Sequence, residues 1–394
     1  MSQPGIPSAT APRIVSVDLL RGIVMVIMAI DHVRNFFSPF PYPPEDLSQA
    51  SAGLFLTRWI THFCAPVFIF LAGTSAYLYR HNRSCSHHEL ARFLVTRGLW
   101  LIFIELSVIN LSWTFGWYPY LFVQVIWAIG WSMIFLAGML YLPFWVSMGS
   151  ALTMIVGHNL LDPIQAQQFG DWSIFWNILH EMGGQPVPII NYFFVAYPLI
   201  PWLGVMVAGY GFGRLVTLPA DHRNPLLYKL GLGLVAAFII LRGFNLYGDP
   251  EPWQPSERGL LFSVLEILNT EKYPPSLAYL LMTLSPAIAL LPLIEKWRGR
   301  LADGVKIFGQ VPFFYYLVHL LLIHILAMLW IRWTFGTWDR LRYLSQSGGF
   351  PESYEPSLLR VYLVWIMVVG ALYPLCRWYA HLKKRSQSWW LSYL

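Results

Sequence analysis

Ten long apolar stretches alternate with short polar segments along this chain, each near the ~20 residues that a bilayer crossing needs. They cover about 17–37, 56–79, 94–112, 120–141, 143–161, 192–213, 230–247, 276–294, 311–331 and 358–378. This pattern predicts an all-α polytopic membrane protein, with about ten transmembrane helices in one bundle. The Tyr141-Leu-Pro-Phe turn around Pro143 separates the fourth helix from the fifth. No repeat of 20–50 residues and no long linker interrupts the pattern, so residues 1–394 read as a single domain. Residues 258–270 predict a short helix lying on the membrane surface.

The polar positions inside these stretches carry the functional signal. The first stretch holds Asp18, Arg21, Asp31, His32 and Arg34. Ionisable groups in hydrocarbon are costly and need partners or a wet cavity. Asp18, Arg21, Met25, Met28, His32 and Asn35 step by three or four and so share one helical stripe. From Arg21 to His32 the rise is about 16 Å. That stripe reads as one wall of a path across the bilayer; the alternative is a buried ion-pair seam holding helices together. On the second stretch, His62, Pro66, Gly73 and Arg80 share a stripe. There Pro66 frees a carbonyl near His62 and Gly73 permits close helix approach. Glu105, midway along the third, reads as half of a structural ion pair with Arg21, Arg97 or a histidine.

Composition agrees with a membrane protein. The chain is 56% hydrophobic, 17% aromatic and only 12% charged. Its net charge of +6 is not a nucleic-acid signature, because the basic residues cluster between hydrophobic stretches. One set of connecting segments carries Arg13, then Arg80, Arg83, Arg92 and Arg97, then Arg214, Arg223 and Lys229. It continues with Lys296, Arg298, Arg300 and Lys306, and ends with Arg377, Lys383, Lys384 and Arg385. Segment 159–191 has no Lys or Arg. Both termini are therefore expected in the cytoplasm, and 38–55, 159–191, 248–275 and 332–357 outside. No cleavable signal peptide is read at the start of the chain. Cys64, Cys85 and Cys376 have no paired spacing and suggest neither a disulfide framework nor a metal site.

This orientation puts Asp31, His32, His62, His158 and the His180-Glu181 pair at one level near the outer surface. Histidine is the usual proton carrier near neutral pH, so His62, His32 and Asp31 are the candidate catalytic groups. At the opposite face, Arg80, Arg83, Arg92 and Arg97 with His81, His87 and His88 suit a phosphate-bearing ligand, or simply follow the orientation bias. On the ninth stretch, His319 and His324 lie five apart, roughly 140° around a helix, and cannot both face one cavity.

Several of these segments resemble a known family. Val17-Asp18-x-x-Arg21-Gly22 and His62-Phe-Cys-Ala-Pro66-Val-Phe-Ile-Phe-Leu-Ala-Gly73 look like its opening helices. Tyr197-Pro-Leu-Ile-Pro201-Trp-Leu-Gly204, with Gly209, Gly211 and Gly213, is similar to its central helix, and Gln310-Val-Pro-Phe-Phe-Tyr-Tyr-Leu-Val-His319 to a late one. The family is the heparan-alpha-glucosaminide N-acetyltransferase-like membrane family, within the transmembrane acyltransferases. The resemblance implies transfer of an acetyl group from cytosolic acetyl-CoA to an amine or hydroxyl across the membrane, on an acceptor such as a sugar or glycan. It favours His319 over His324. A family histidine between the first two helices has no counterpart here, where the chain reads Ala50-Ser-Ala-Gly53.

On this reading Asp18, Arg21, Arg80, Arg97 and His319 hold the coenzyme A donor, and Asn35, His180, Glu181 and Trp176 face the acceptor. Asp31 orients a histidine base, and Asn35 or backbone freed at Pro66 holds the oxyanion. The expected partners are the donor, a small-molecule or glycan acceptor and the bilayer of an inner or plasma membrane; a homodimer is left open. A transporter or flippase using the same polar path is the rival reading, though no inverted repeat supports it.

Overall fold

The computed structural model describes residues 14–115, 120–188, 190–336, 338, 354–386 and 391. Arg13 and residues 339–353 of the expected outer segment lie outside the described residues. Eight described helical segments are long and apolar enough to cross a membrane: Ala52–Arg83, His87–Thr114, Phe144–Leu161, Leu199–Val216, Ala220–Gly243, Leu277–Lys296, Pro312–Phe335 and Leu358–Arg385. The first helix, α1 (Val15–Phe37), is long enough but rich in charge, and α6 (Val125–Met139) is apolar but shorter. The protein is an integral multi-pass membrane protein built almost wholly of helices.

Two expected spans start differently from the prediction. The first residues of 120–141 and 192–213 form strands. β1 (Tyr120–Val123) pairs in parallel with β3 (Ile190–Val195), which pairs antiparallel with β2 (Gly183–Val187). β1 and β3 are rich in aromatic and β-branched residues, which suits strands. Pro198, extended at φ −58°, ψ 141°, then sets the start of α9 (Leu199–Val216). The short helix expected within 258–270 forms as α11 (Leu260–Leu268).

The second span is broken. α2 (Ala52–His62) and α3 (Cys64–Arg83) meet at Phe63. Pro66 has no N–H to offer the His62 carbonyl. That carbonyl instead accepts a hydrogen bond from the Tyr279 hydroxyl at 2.7 Å, on α12 (Leu277–Lys296). The break thus fixes the His62 backbone to a distant helix.

α13 (Arg300–Gln310) lies where a loop was expected. It presses on α1 at glycines. A Cβ on Gly22 would stand 2.1 Å from the Val305 oxygen, and one on Gly309 1.8 Å from the Asp18 oxygen. Gly73 and Gly209 do the same between α3 and α9, where added Cβ atoms would stand 2.0 Å from the Met206 and Phe70 oxygens. The closest atoms are backbone and cannot swing away. Gly309→Ala should therefore lower stability by about 1–3 kcal/mol. Gly304→Ala, whose Cβ would meet only Tyr373 at 3.7 Å, should change little. Thermal unfolding in detergent compares the two; equal midpoints would remove the close α1–α13 contact from the account.

Candidate active site

Three described elements converge on His32. They are α1, α14 (Pro312–Phe335) and the turn of helix α5 (Asn110–Thr114) that ends the third span. His32 Nδ1 and His319 Nε2 are 2.7 Å apart, with the rings stacked at 4.9 Å. His319 Nδ1 lies 2.9 Å from the Tyr315 carbonyl oxygen. An oxygen acceptor there demands a proton on Nδ1, since a bare nitrogen would set two lone pairs against each other. His319 Nε2 is then an acceptor, and His32 must donate its own Nδ1–H. His32 Nε2 is left with its lone pair. His319 is fully buried while His32 is half-buried, so the free nitrogen belongs to the more accessible ring.

Trp113 meets the His32 ring edge-on at 5.3 Å and stacks on Phe36 at 5.2 Å. Its indole Nε1 is buried and has no hydrogen-bond partner among the described residues. A π turn, Glu105–Ile109, explains why it faces inward. Eight residues of regular helix would turn Trp113 about 80° away from Glu105, and one extra residue brings them within about 20°. Among the described residues Glu105 forms no ion pair. Its Oε1 accepts from the Gln124 N–H at 3.1 Å, at the amino end of α6, where helix N–H groups lack partners of their own.

Beside His32 lies a charged cluster. Asp31 is held by Arg34 at 2.8 Å and Arg58 at 2.7 Å. Arg58 also donates to Glu45 at 2.6 Å. Asp31 therefore serves the arginines, and His319 rather than Asp31 orients His32. Burial alone would raise the Glu45 carboxyl, but Arg58 and the nearby His62 hold it well below the usual carboxylate range. His62 Nε2 faces Glu45 at 3.6 Å, and among the described residues neither ring nitrogen has a closer polar partner. His62 is 1% exposed. His32 and His62 thus flank one cluster, with different surroundings. Asn35 is half-buried, one turn beyond Asp31 and His32. The group freed at Pro66 is a carbonyl already bound by Tyr279, and an acceptor cannot hold an oxyanion.

The remaining predicted residues fall in separate places. His180 pairs with Asp162 at 3.0 Å and lies 5.4 Å from the Trp176 ring. Glu181 accepts from the Ala166 N–H at 2.5 Å. These three belong to one loop cluster, together with His158. Arg21 joins helices: it donates to Asp18 at 3.3 Å, to the Gly309 carbonyl at 3.2 Å and to Ser75 on α3 at 2.6 Å. Arg97 acts on Tyr379, in the last helix, α15 (Leu358–Arg385). His324 binds the Ser112 carbonyl at 2.6 Å.

Arg80 lines a cleft of about 570 Å³ at the opposite end of α3. Its walls include Tyr77, His81, His87, Tyr210 and Arg214. Arg80 donates to the Tyr210 hydroxyl at 3.4 Å, and Arg214 sits 3.9 Å over the Phe144 ring.

Sequence reasoning missed Trp113, Glu45 and Tyr279. Trp113 is hidden by the π turn, which no residue pattern announces. Glu45 lies in a loop with no periodicity to place it.

The helical bundle, with segments of membrane-spanning length, encloses a hydrogen-bonded histidine pair beside buried charges. Residues 13–244 match the family model for the catalytic region of heparan-alpha-glucosaminide N-acetyltransferase, and the chain belongs to that family of transmembrane acetyltransferases. No curated protein sequence matches the chain. His319 and Tyr279 lie beyond the matched region yet contact His32 and the His62 backbone.

Proposed function

We propose that this protein takes an acetyl group from acetyl-CoA at the cytoplasmic face and gives it to an amine or hydroxyl of a sugar-like acceptor on the outer side. The observation that carries the reading is the hydrogen-bond line from the Tyr315 carbonyl through His319 to His32, which leaves His32 Nε2 as a positioned base. The acceptor nitrogen or oxygen attacks the thioester carbonyl carbon, and the carbonyl oxygen takes up the electron pair. His32 Nε2 removes the acceptor proton as the new bond forms. His319 keeps the His32 ring in the right tautomer while it gains charge. The Trp113 N–H beside His32 is a donor for the oxyanion. Collapse restores the carbonyl and breaks the C–S bond, and the proton passes from His32 to the departing thiolate.

The Arg80 cleft suits the nucleotide end of the donor. Arg80 and Arg214 supply charge for phosphates, and Tyr77 and Tyr210 supply aromatic faces. The basic residues near it support its cytoplasmic placement. Losing one charge-assisted contact costs on the order of 1.5–3 kcal/mol. Arg80→Ala should then weaken coenzyme A binding about 10–100-fold by isothermal titration, and added salt should weaken the wild type. Unchanged affinity in both arms would take the donor out of this cleft. Incubating purified protein with acetyl-labelled acetyl-CoA and amino sugars tests the reaction itself: labelled sugar supports it, and none overturns it.

A further inference from the structure

Three membrane-spanning segments meet at one level of the bundle. α7 (Phe144–Gly157) runs on through a short turn to Asn159 and Asp162, and α10 (Ala220–Gly243) ends with Leu241 and Arg242. The first residue of α12 joins them, since Leu277 N–H donates to Asn159 Oδ1 at 3.0 Å. The Tyr247 hydroxyl donates to the Val156 carbonyl, and Ala278 N–H donates to the Gly248 carbonyl at 2.7 Å. Together these ends enclose a cavity of about 350 Å³.

The cavity wall carries two carboxylates, Asp162 and Asp249, and among its described lining residues one cation, Arg242. Arg242 is committed elsewhere. Its side chain is 4% exposed, stands 3.4 Å from Asp249 and donates to the carbonyls of Glu251, Glu266, Ile267 and Asn269. Asp162 is the open charge. Its side chain is 20% exposed, and its oxygens accept from the Asn159 amide at 2.9 Å and from His180 Nε2 at 3.0 Å. His180 Nδ1 is buried with no partner among the described residues, so a second proton on that ring would be stranded. The ring therefore gives Asp162 a hydrogen bond without a countercharge. Segment 245–276, which forms the far wall, holds five carboxylates against Arg258 and Lys272. A carboxylate without a countercharge suits a cationic ligand.

The walls suit an organic cation. Leu241, Leu246 and Pro250 line the same cavity, and Tyr247, with its hydroxyl spent on Val156, offers aromatic surface to an ammonium group. No group of three or more His, Cys, Asp or Glu side chains among the described residues is arranged to hold a metal ion. The surroundings of the mouth are apolar. Leu152, Val156 and Leu160 step by four along an exposed face of α7 and the turn after it, and Phe244 and Leu246 are exposed where α10 ends.

We propose that this cavity binds the primary-ammonium headgroup of a membrane lipid, with Asp162 as its counterion and the acyl chains along the exposed faces of α7 and α10. A primary ammonium donates hydrogen bonds to the lone pairs that Asp162 has left, which a choline group cannot do. An anionic headgroup would meet two carboxylates. The site is separate from the histidine pair and does not depend on acetyl transfer.

The test mixes purified full-length protein in detergent with phosphatidylethanolamine, phosphatidylcholine or phosphatidylglycerol of the same acyl chains, and counts bound lipid by native mass spectrometry. Phosphatidylethanolamine should bind most tightly. Asp162→Asn should weaken it about 10–100-fold, the usual cost of one charge-assisted contact, and remove its advantage over phosphatidylcholine. Leu246→Lys, at an exposed position, brings its own ammonium to the cavity and should displace the lipid, which keeps the test decisive where Asp162→Asn does not fold. Equal binding of the three lipids would overturn the site, as would phosphatidylethanolamine held by either folded variant as tightly as by the wild type. Free ethanolamine that matches the lipid in affinity and in its dependence on Asp162 would overturn the lipid assignment, marking a site for soluble amines.

Discussion

His32→Ala lowers acetyl transfer by about 10²–10⁴-fold, the usual contribution of general acid–base catalysis, while coenzyme A affinity stays near wild type. Binding survives because the Arg80 cleft lies at the other end of α3 from the His62 end. His319→Phe removes the acceptor for the His32 Nδ1–H and should lower kcat about 10²-fold with little change in the KM for acetyl-CoA. His319→Gln restores a side-chain acceptor and should recover much of that loss, which a merely structural role for His319 would not produce. Steady-state kinetics with radiolabelled acetyl-CoA measure all three. His222→Ala, exposed on α10 (Ala220–Gly243), is the neutral control. His324 is unsuitable as a control, because it binds the carbonyl of Ser112, the residue before Trp113. A His32→Ala enzyme with near-normal turnover moves the base elsewhere, with His62 next in line.

Arg58→Ala is the substitution expected to cost most in stability, about 3–5 kcal/mol, because it strips a buried cation from two carboxylates at once. Arg34 remains on Asp31 and softens the loss there. Adding Asp31→Asn and Glu45→Gln to Arg58→Ala removes the stranded charges and should recover a substantial part of the stability. Chemical denaturation in detergent, compared with Arg83→Ala at an exposed position, provides the measure. Equal losses at positions 58 and 83 would mean the cluster does not behave as a buried network.

Much of this was legible in the chain, and the limits have physical causes. Long apolar runs specify membrane helices because lipid leaves the backbone no other way to satisfy its hydrogen bonds. Pro66 announced the break at Phe63, since a missing N–H is written in the sequence. The stripe on α1 pointed to His32, and its neighbour Asp31 lay close by, but not to their partners. Asp31 beside His32 suggested an orienting carboxylate, yet adjacent residues on a helix point about 100° apart, and Asp31 turned to the arginines. His319 came from a resemblance in a late helix and was grouped with the donor, because sequence alone gives no contact between α1 and α14. Arg21 and Arg80 looked like one group by depth. They meet different faces of α3, because Ser75, which Arg21 binds, and Arg80 are five residues apart, about 140° around the helix. Depth along a helix can be counted from sequence, but which neighbour a face meets depends on tertiary packing.

The central claim is transfer from one side of the membrane to the other through His32. Proteoliposomes made with the protein in one orientation, its cytoplasmic face outward, are loaded with an amino sugar and given acetyl-labelled acetyl-CoA outside. The wild type should place label on the enclosed sugar, while unlabelled coenzyme A accumulates outside, and His32→Ala should do neither above background. Label appearing only on sugar supplied outside, or label inside the vesicles that is undiminished in His32→Ala, would contradict the account.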